Sequence, residues 1–379
     1  MTGIYVHIPF CASRCIYCGF YSTVGKEALQ ESYINAIKRE LTRRKDYLDK
    51  SDDGKFTIYF GGGTPSVLEP RLLCELTHSI KQELEIADSA IEEFTIECNP
   101  DDIVDKLGNI NHNFIKSIKD MGVNRVSMGV QTFSDERLCF LGRRHRSSQI
   151  ALAIDALRNN DIKNISIDLI FGFPNQTLDE WKQDLQKALS LKPEHISAYS
   201  LMYEEGTLLH SMLKSGKIKE NDEDVCKNMY NMLIDTLLCA GYEHYEISNF
   251  AKPGYRSQHN SNYWNDSHYL GLGAAAHSYN GKSRNWNISD ISQYIDGENI
   301  DTNEPIDTRT HYNDTVTTAL RTREGIALES VAEPYRSYLI DNAEKDIERG
   351  NLIIEGNRLH LTRHGLFISD EVMSELIFV

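Results

Sequence analysis

Three of the eight cysteines lie close together, at positions 11, 15 and 18. Their C-x3-C-x2-C spacing, in the loop after a first predicted strand, would let Cys11, Cys15 and Cys18 bind three irons of a [4Fe-4S] cluster. The run contains no fourth thiolate, so one iron would stay open to another ligand. The spacing therefore predicts an iron–sulfur centre with one free coordination site.

Two other interpretations of these cysteines remain open, a structural zinc site and a coincidence. Zinc prefers four protein ligands, and its sites usually combine two C-x2-C pairs. His7 is the nearest candidate for a fourth ligand, but it lies inside the predicted strand and is poorly spaced. The five other cysteines are scattered through predicted helices and strands, where a cysteine is most often a small buried apolar residue.

A second motif, GGGTPS at residues 61–66, follows the second predicted strand. Glycines at such a position let the backbone approach a small ligand closely. In isolation the run would indicate only a flexible turn. Its place after a strand, downstream of the three cysteines, predicts a second loop of the same site.

Composition narrows the class of protein. The 379 residues include 40 basic and 56 acidic side chains, a formal net charge of −16. An acidic surface repels phosphate and anionic lipid, so we expect no nucleic-acid partner and no docking to anionic membranes. No apolar run reaches the roughly 20 residues that span a bilayer, and no signal peptide is evident. We therefore expect a cytoplasmic protein without disulfides or an integral membrane segment.

The elements that must position the motifs alternate between strands and helices. Short β-branched or aromatic runs predict six strands, at residues 4–8, 57–60, 94–97, 125–129, 166–170 and 196–201. Amphipathic helical patterns separate them, as in Tyr33, Ile37 and Leu41. This alternation predicts an α/β fold, a partial (β/α)6 barrel of the TIM type, with its chemistry at the carboxyl ends of the strands.

The rest of the chain predicts two further parts. A helix at residues 223–240 and a strand at 242–247 precede a stretch, 258–279, rich in His, Asn, Gly and aromatic residues. Beyond residue 300 we predict helices at 314–320, 333–349 and 365–376 and a hairpin of residues 352–355 and 358–361. The expected domains are a barrel over 1–250, a connecting segment over 251–300 and a small winged-helix-like α+β domain over 301–379.

These motifs together resemble those of a known family. The sequence is similar to the radical S-adenosylmethionine (SAM) proteins of the oxygen-independent coproporphyrinogen III oxidase superfamily. The similarity runs from the first strand into the C-terminal part. The strings that carry it are YVHIPFC at 5–11, CIYCGFYS at 15–22, GGGTPS at 61–66, ECNP at 97–100, SMGVQTF at 127–133, LGRRH at 141–145 and DLIFG at 168–172.

The resemblance implies that SAM completes the cluster and contacts nine residues, which are Tyr5, Tyr17, Gly62, Gly63, Thr64, Glu97, Gln131, Arg143 and Asp168. The chemistry of these side chains fits. Carboxylates and amides at strand ends can accept hydrogen bonds from ribose hydroxyls or an amino group, and Arg143 can bind a carboxylate with two parallel hydrogen bonds. For each residue alone, a helix cap or a structural ion pair is the other interpretation.

Two functions compete within the superfamily. The decarboxylating oxidases carry a further cysteine two positions after the third, where this chain has Phe20, and an extension before the motif, where this chain has only ten residues. Both features resemble the HemW haem chaperones. We therefore expect a haem-transferring protein, with an oxidoreductase of the coproporphyrinogen III dehydrogenase type as the alternative. Whether the chain is an enzyme stays open.

A histidine motif supports the haem interpretation. HNSNYW at 259–264 resembles the H-N-x-x-Y-W motif of the haem chaperones and makes His259 a candidate haem ligand beside Tyr263 and Trp264. A loop histidine that bonds its own backbone is the other interpretation. One departure from the family is Ala275, in GLGAAAHS, where glycine is usual. The implied partners are haem, an acceptor protein that the sequence does not identify, and an electron donor such as flavodoxin or ferredoxin.

Overall fold

The computed structural model describes residues 1–48, 54–297 and 301–379. Within these ranges twelve strands form one sheet, and three strands form a second, smaller sheet. No helix in the same ranges is long and apolar enough to cross a membrane.

The centre of the large sheet consists of parallel strands in the order of the sequence. These strands are β1 (Thr2–Ile8), β2 (Phe56–Gly62), β3 (Ile91–Cys98), β4 (Arg125–Gln131), β5 (Asn164–Phe171) and β6 (His195–Ser200). Each pairs in parallel with the next, so their carboxyl ends meet at one edge. The partial barrel that the sequence predicts is confirmed.

Most of these strands are longer than the β-branched or aromatic runs from which they are predicted. β3 begins three residues earlier than predicted, and β4 ends two residues later, at Gln131. The added residues include polar side chains that are nevertheless buried, such as Glu93 at 2% exposure and Gln131 at 8%. Because polar side chains face the inside of this barrel, a hydrophobic pattern predicts strands that are too short.

Helices cover the outer face of the barrel. Those up to residue 239 are α1 (Gln30–Arg44), α2 (Pro70–Glu83), α3 (Pro100–Ile103), α4 (His112–Met121), α5 (Asp135–Phe140), α6 (Ser147–Asn159), α7 (Leu178–Ser190), α8 (Leu208–Lys214) and α9 (Glu223–Cys239). In α7, the Thr177 hydroxyl accepts from the backbone of Glu180 and caps the helix. Trp181 and Leu185 of that helix enter the main hydrophobic core.

Further strands widen the sheet at both edges. Beside β6 lie β7 (Glu243–Glu246) and β8 (Asn249–Ala251), and beside β1 lie β9 (Tyr269–Leu272), β10 (His277–Tyr279), β11 (Ser283–Asn287) and β12 (Asp301–Pro305). The helices α10 (Gln258–Trp264) and α11 (Ile291–Asp296) belong to this part. The domain boundaries near residues 250 and 300 stay predictions.

The C-terminal part has its own hydrophobic core, which includes Val316, Leu339 and Leu359. Its elements are α12 (Thr308–Ala319), β13 (Ile326–Ala327), α13 (Tyr335–Glu348), β14 (Leu352–Glu355), β15 (Arg358–Leu361), α14 (Arg363–Leu366) and α15 (Ser369–Glu375). β13, β15 and β14 form the small antiparallel sheet, so a small α+β domain is confirmed.

Two predicted helices in this part are wrong in extent. α12 begins six residues earlier than expected, because the Asp307 carboxylate accepts from the backbone N–H of Thr310 and caps it there. The single last helix expected at 365–376 is two helices, because the chain at Ile368 leaves helical geometry, with φ −110° and ψ 28°.

Candidate functional site

A cavity of about 520 Å³ opens at the carboxyl ends of the parallel strands. All three cysteines of the motif and all nine residues implied as SAM contacts line it. These residues come from five strands and the loops after them, which is why the parallel arrangement brings them together. His259 is not among the lining residues; its neighbour Asn260 is.

The glycine loop holds the cysteine loop by backbone hydrogen bonds. The N–H groups of Gly63 and Thr64 donate to the carbonyls of Ile8 and Phe10, each at 2.8 Å. The Thr64 hydroxyl lies 3.5 Å from the Cys11 sulfur. A Cβ atom at Gly63 would come within 2.8 Å of those two carbonyl oxygens, so a side chain there would push the loops apart. The glycine is thus required for the close approach of the two loops.

Arg143 connects the cysteine loop to β4. One guanidinium nitrogen lies 3.5 Å from the Cys15 sulfur, and the other donates to the Gly129 carbonyl at 2.7 Å and to the Asn99 side chain. A Cβ at Gly129 would lie 3.0 Å from Arg143 and 2.9 Å from Gln131. A glycine at position 129 therefore leaves the room that both side chains occupy.

A bulge at the end of β4 aims Gln131 into the cavity. The β4–β5 register shifts between Gly129 and Gln131, and Gln131 has φ 67°, in the left-handed region. Non-glycine residues adopt this conformation rarely, and bulges beside functional sites often redirect a side chain. Ala275, where the family usually has glycine, also has a positive φ of 62°. Its extra methyl group thus stands on backbone that favours glycine.

Two half-buried carboxyl groups, Glu97 of β3 and Asp168 of β5, line the wall of the cavity. Burial raises the pKa of Glu97 to about 7 and that of Asp168 to about 6. The Tyr59 hydroxyl donates to Glu97 at 2.8 Å, and the Gly62 N–H donates to it at 3.2 Å. Because both pKa values lie near neutrality, small changes in the cavity would change the charge of these groups.

His7, the possible fourth ligand in the zinc interpretation, is a buried residue outside the cavity lining. Its Nε2 lies 2.9 Å from the Tyr21 carbonyl and its Nδ1 lies 3.1 Å from the Tyr5 hydroxyl. Burial lowers its pKa. Both ring nitrogens are thus occupied by hydrogen-bond partners.

His259 is fully enclosed, with 1% of its surface exposed. Its Nδ1 lies 2.9 Å from the Thr57 hydroxyl, and its Nε2 lies 3.0 Å from the Tyr263 hydroxyl. The ring stacks on Tyr59, with centroids 5.1 Å apart. Burial lowers the pKa of His259 to about 3, so the imidazole is neutral. A ligand that used Nε2 would have to displace Tyr263.

Apolar side chains line the mouth of the cavity. Phe20 is 71% exposed and Met202 is 60% exposed, and both contribute to the lining. The Glu204 side chain packs over Gly19, where an added Cβ would lie 1.7 Å from its carboxylate. The loop after β6 therefore packs against Gly19, the residue after the last cysteine of the motif, while Phe20 faces solvent.

The positions of the three cysteines are compatible with a cluster. Burial raises the pKa of Cys11 and Cys18, so metal binding would release protons from these thiols. Among the described residues, no three His, Cys, Asp or Glu side chains lie close enough to share one metal ion. Three thiolates of a cluster bind three different irons and need not lie that close.

Sequence reasoning missed several residues of the cavity, most notably Arg125, Ser127 and Ser197. Arg125 and Ser127 precede Gly129 and Gln131 at alternate positions of β4, the period that places side chains on one face of a strand. This alternation in the sequence could have identified them.

Comparison with known proteins places these features in context. A family profile described as the radical SAM superfamily matches residues 5–188. A protein named heme chaperone HemW from Bacillus subtilis is 34% identical, and the match covers 100% of this chain and 99% of that protein. The protein of the same name from Lactococcus lactis is 33% identical, over 99% of this chain and 97% of that protein.

Among solved structures, coproporphyrinogen III oxidase (HemN) from Escherichia coli, a radical SAM enzyme, superimposes with a TM-score of 0.82. The match covers 99% of this chain and 90% of that one, at 19% sequence identity. At this identity the likeness concerns the fold alone.

Proposed function

This chain belongs to the HemW family of radical SAM proteins, and from that premise we propose that it is a haem chaperone, which binds haem and transfers it to an acceptor protein. The observation that carries the proposal is the full-length similarity to proteins of that name. Phe20, in the place where the oxidases have a further cysteine, supports the carrier over the oxidase.

Membership of the superfamily implies a [4Fe-4S] cluster and SAM. In our proposal Cys11, Cys15 and Cys18 hold the cluster, and Arg143, 3.5 Å from the Cys15 sulfur, offsets part of its negative charge. When bound, the cluster and SAM supply one-electron reductive chemistry, with electrons from a donor such as flavodoxin or ferredoxin.

The same cavity offers contacts for each part of SAM. The backbone of Gly62, Gly63 and Thr64 is free of bulky side chains and would pass the methionine end close to the cysteines. Glu97, Gln131 and Asp168 present acceptors to the ribose hydroxyls or the amino group. Tyr5 and Tyr17 offer aromatic faces, and Arg143 a guanidinium.

Changing Glu97 or Asp168 to alanine should weaken SAM binding and leave the iron content unchanged. Each change removes a charged hydrogen-bond acceptor, worth about 1.5–3 kcal/mol, so affinity should fall roughly ten- to a hundredfold. Titration calorimetry on the cluster-loaded protein measures this. Unchanged affinity in both variants would remove these carboxyls from the site.

The pH dependence of SAM affinity, measured by the same titration, tests the role of Glu97 separately. Because the pKa of Glu97 is raised to about 7, the group is mostly protonated below that pH and ionised above it. SAM affinity of the unmodified chain should therefore rise from pH 6 to pH 8. Glu97→Gln should remove most of this rise, whereas Glu75→Gln, on the exposed face of α2, should not change it.

Haem needs an apolar face and an axial ligand. Phe20 and Met202, both exposed at the mouth of the cavity, could pack against a flat macrocycle. We propose His259 as the axial ligand. It is neutral, as a ligand must be. It is enclosed outside the cavity lining, beside Thr57 near the start of β2, and its Nε2 contacts the Tyr263 hydroxyl. Ligation therefore requires a rearrangement that breaks this contact and brings haem and His259 together.

The competing contact gives a matched pair of variants. His259→Ala should shift or reduce the Soret band of the haem complex, because the axial nitrogen is lost. Tyr263→Phe should strengthen haem binding about two- to tenfold, because it frees Nε2 from a hydrogen bond worth about 0.5–1.5 kcal/mol. An unchanged Soret band in His259→Ala would place the axial ligand elsewhere.

A further inference from the structure

The floor of the barrel contains an arginine that the proposed SAM and haem contacts do not use. Arg125 is the first residue of β4, is 1% exposed, and lines the cavity. It lies four residues before Gly129, or about 13 Å along a strand at 3.3 Å per residue. The cysteines contact the other end of this strand, through Arg143. Arg125 thus faces the cavity from the side opposite the cysteines.

No described carboxylate forms an ion pair with Arg125, and its Nε and Nη1 atoms are buried without a hydrogen-bond partner among the described residues. Glu93, a buried carboxylate of the neighbouring strand, is already occupied. It accepts from the backbone N–H groups of Gln258 and His259 and from two hydroxyls. A buried charge without a partner is costly, so the guanidinium is poised for an anion from outside the chain.

The titratable groups around Arg125 do not supply the negative charge that its guanidinium lacks. Its charge helps to lower the pKa of the buried His195 and His259, which remain neutral. Burial raises the pKa of the Glu97 and Asp168 carboxyls, and the charge of Arg125 offsets this only in part. The barrel floor therefore holds a fixed positive charge that its own acids neutralise incompletely.

We propose that Arg125 is a binding residue that pairs with a carboxylate of the ligand held in this cavity. The guanidinium fork suits a carboxylate, because it can donate two parallel hydrogen bonds. Haem, the ligand of the proposed function, carries this group in its propionates. The methionine carboxylate of SAM belongs at the open iron of the cluster, on the side of the cavity opposite Arg125. The inference rests on the proposed function for the identity of the ligand.

The first test is thermal stability of the cluster-loaded protein without added ligand. Arg125→Gln should keep or raise Tm, because it removes an unpaired buried charge. Arg44→Gln is the matched control. Arg44 is also buried, but it pairs with Glu40 at 2.8 Å, and its loss should lower Tm. A fall in Tm for Arg125→Gln as large as that for Arg44→Gln would mean that the barrel already neutralises Arg125, and would contradict the proposal.

The second test compares haem with its dimethyl ester, which lacks the carboxylates, and uses SAM as a control ligand. Arg125→Gln should lower affinity for haem about ten- to a hundredfold and leave the affinities for the ester and for SAM unaffected. Arg125→Lys should recover part of the loss, because it restores the charge without the fork.

Loss of affinity confined to haem assigns the propionates to Arg125. If Arg125→Gln leaves haem affinity unaffected, or weakens haem and its ester equally, the inference is wrong. If the unmodified chain does not bind haem, the proposed function fails, whereas equal haem binding by the unmodified chain and by Arg125→Gln contradicts the inference alone.

Discussion

Cys15→Ala is expected to yield a protein with almost no cluster after anaerobic reconstitution. The unmodified chain should contain about four irons and four sulfides and, when reduced, give a paramagnetic signal that changes on addition of SAM. The expectation rests on three thiolates that line one cavity, with Arg143 at 3.5 Å from the Cys15 sulfur. Two remaining thiolates leave two irons open, so the cubane should be lost during isolation.

The control for this variant is Cys139→Ala. Cys139 is an exposed cysteine on α5 outside the cavity lining, so its loss should change neither iron content nor the reduced signal. Iron and sulfide analysis with paramagnetic resonance measures both variants. Full iron and a SAM-sensitive signal in Cys15→Ala would mean that the cysteine motif is not the cluster site.

Stoichiometric haem binding without coproporphyrinogen III turnover is the second expected result. Turnover would need a pocket that presents two propionates in sequence to an adenosyl radical, and the oxidases that do so carry a cysteine where this chain has Phe20. Phe20 is 71% exposed at the mouth of the cavity, where it suits an apolar macrocycle face rather than proton or electron transfer. One assay should follow haem by its absorption and porphyrin products by chromatography, with SAM and reductant under anaerobic conditions.

Phe20→Ala and Phe20→Cys distinguish the roles of this position. Phe20→Ala should weaken haem binding by exposing less apolar surface, whereas Val24→Ala, also exposed but outside the lining, should not. Phe20→Cys restores the cysteine of the oxidases and should still give no product if the carrier assignment is right. Protoporphyrinogen formed by the unmodified chain above a cluster-free control would favour the oxidase instead.

Several features of the fold could be predicted from the sequence. The parallel barrel follows from strand–helix alternation, and the hairpin of β14 and β15 has the predicted ends. The division of the last helix at Ile368 could not be predicted, because its amphipathic pattern continues through the break. The early start of α12 depends on a single capping carboxylate, Asp307.

The candidate site also contains features that the sequence predicted and features that it did not. Cysteine spacing and the glycine loop are local features, so the sequence alone identified the motifs of a radical SAM protein, and all their residues line one cavity. Arg125 was overlooked although it lines the cavity, because both sides of a strand in a parallel barrel are buried and hydrophobicity does not distinguish them. Its alternation with Gln131, a predicted contact of the cavity, was the signal available in the sequence.

His259 is the opposite case, because the sequence identified the residue but not its surroundings. Its motif is local and could be recognised in the sequence, but its hydrogen-bond partner Thr57 is 202 residues away. The sequence by itself determined the family, the barrel and the cysteine motif, because these depend on patterns within short segments. Only the tertiary structure decided that His259 is enclosed and that Arg125 lacks a partner, because burial and pairing depend on residues brought together from distant parts of the chain.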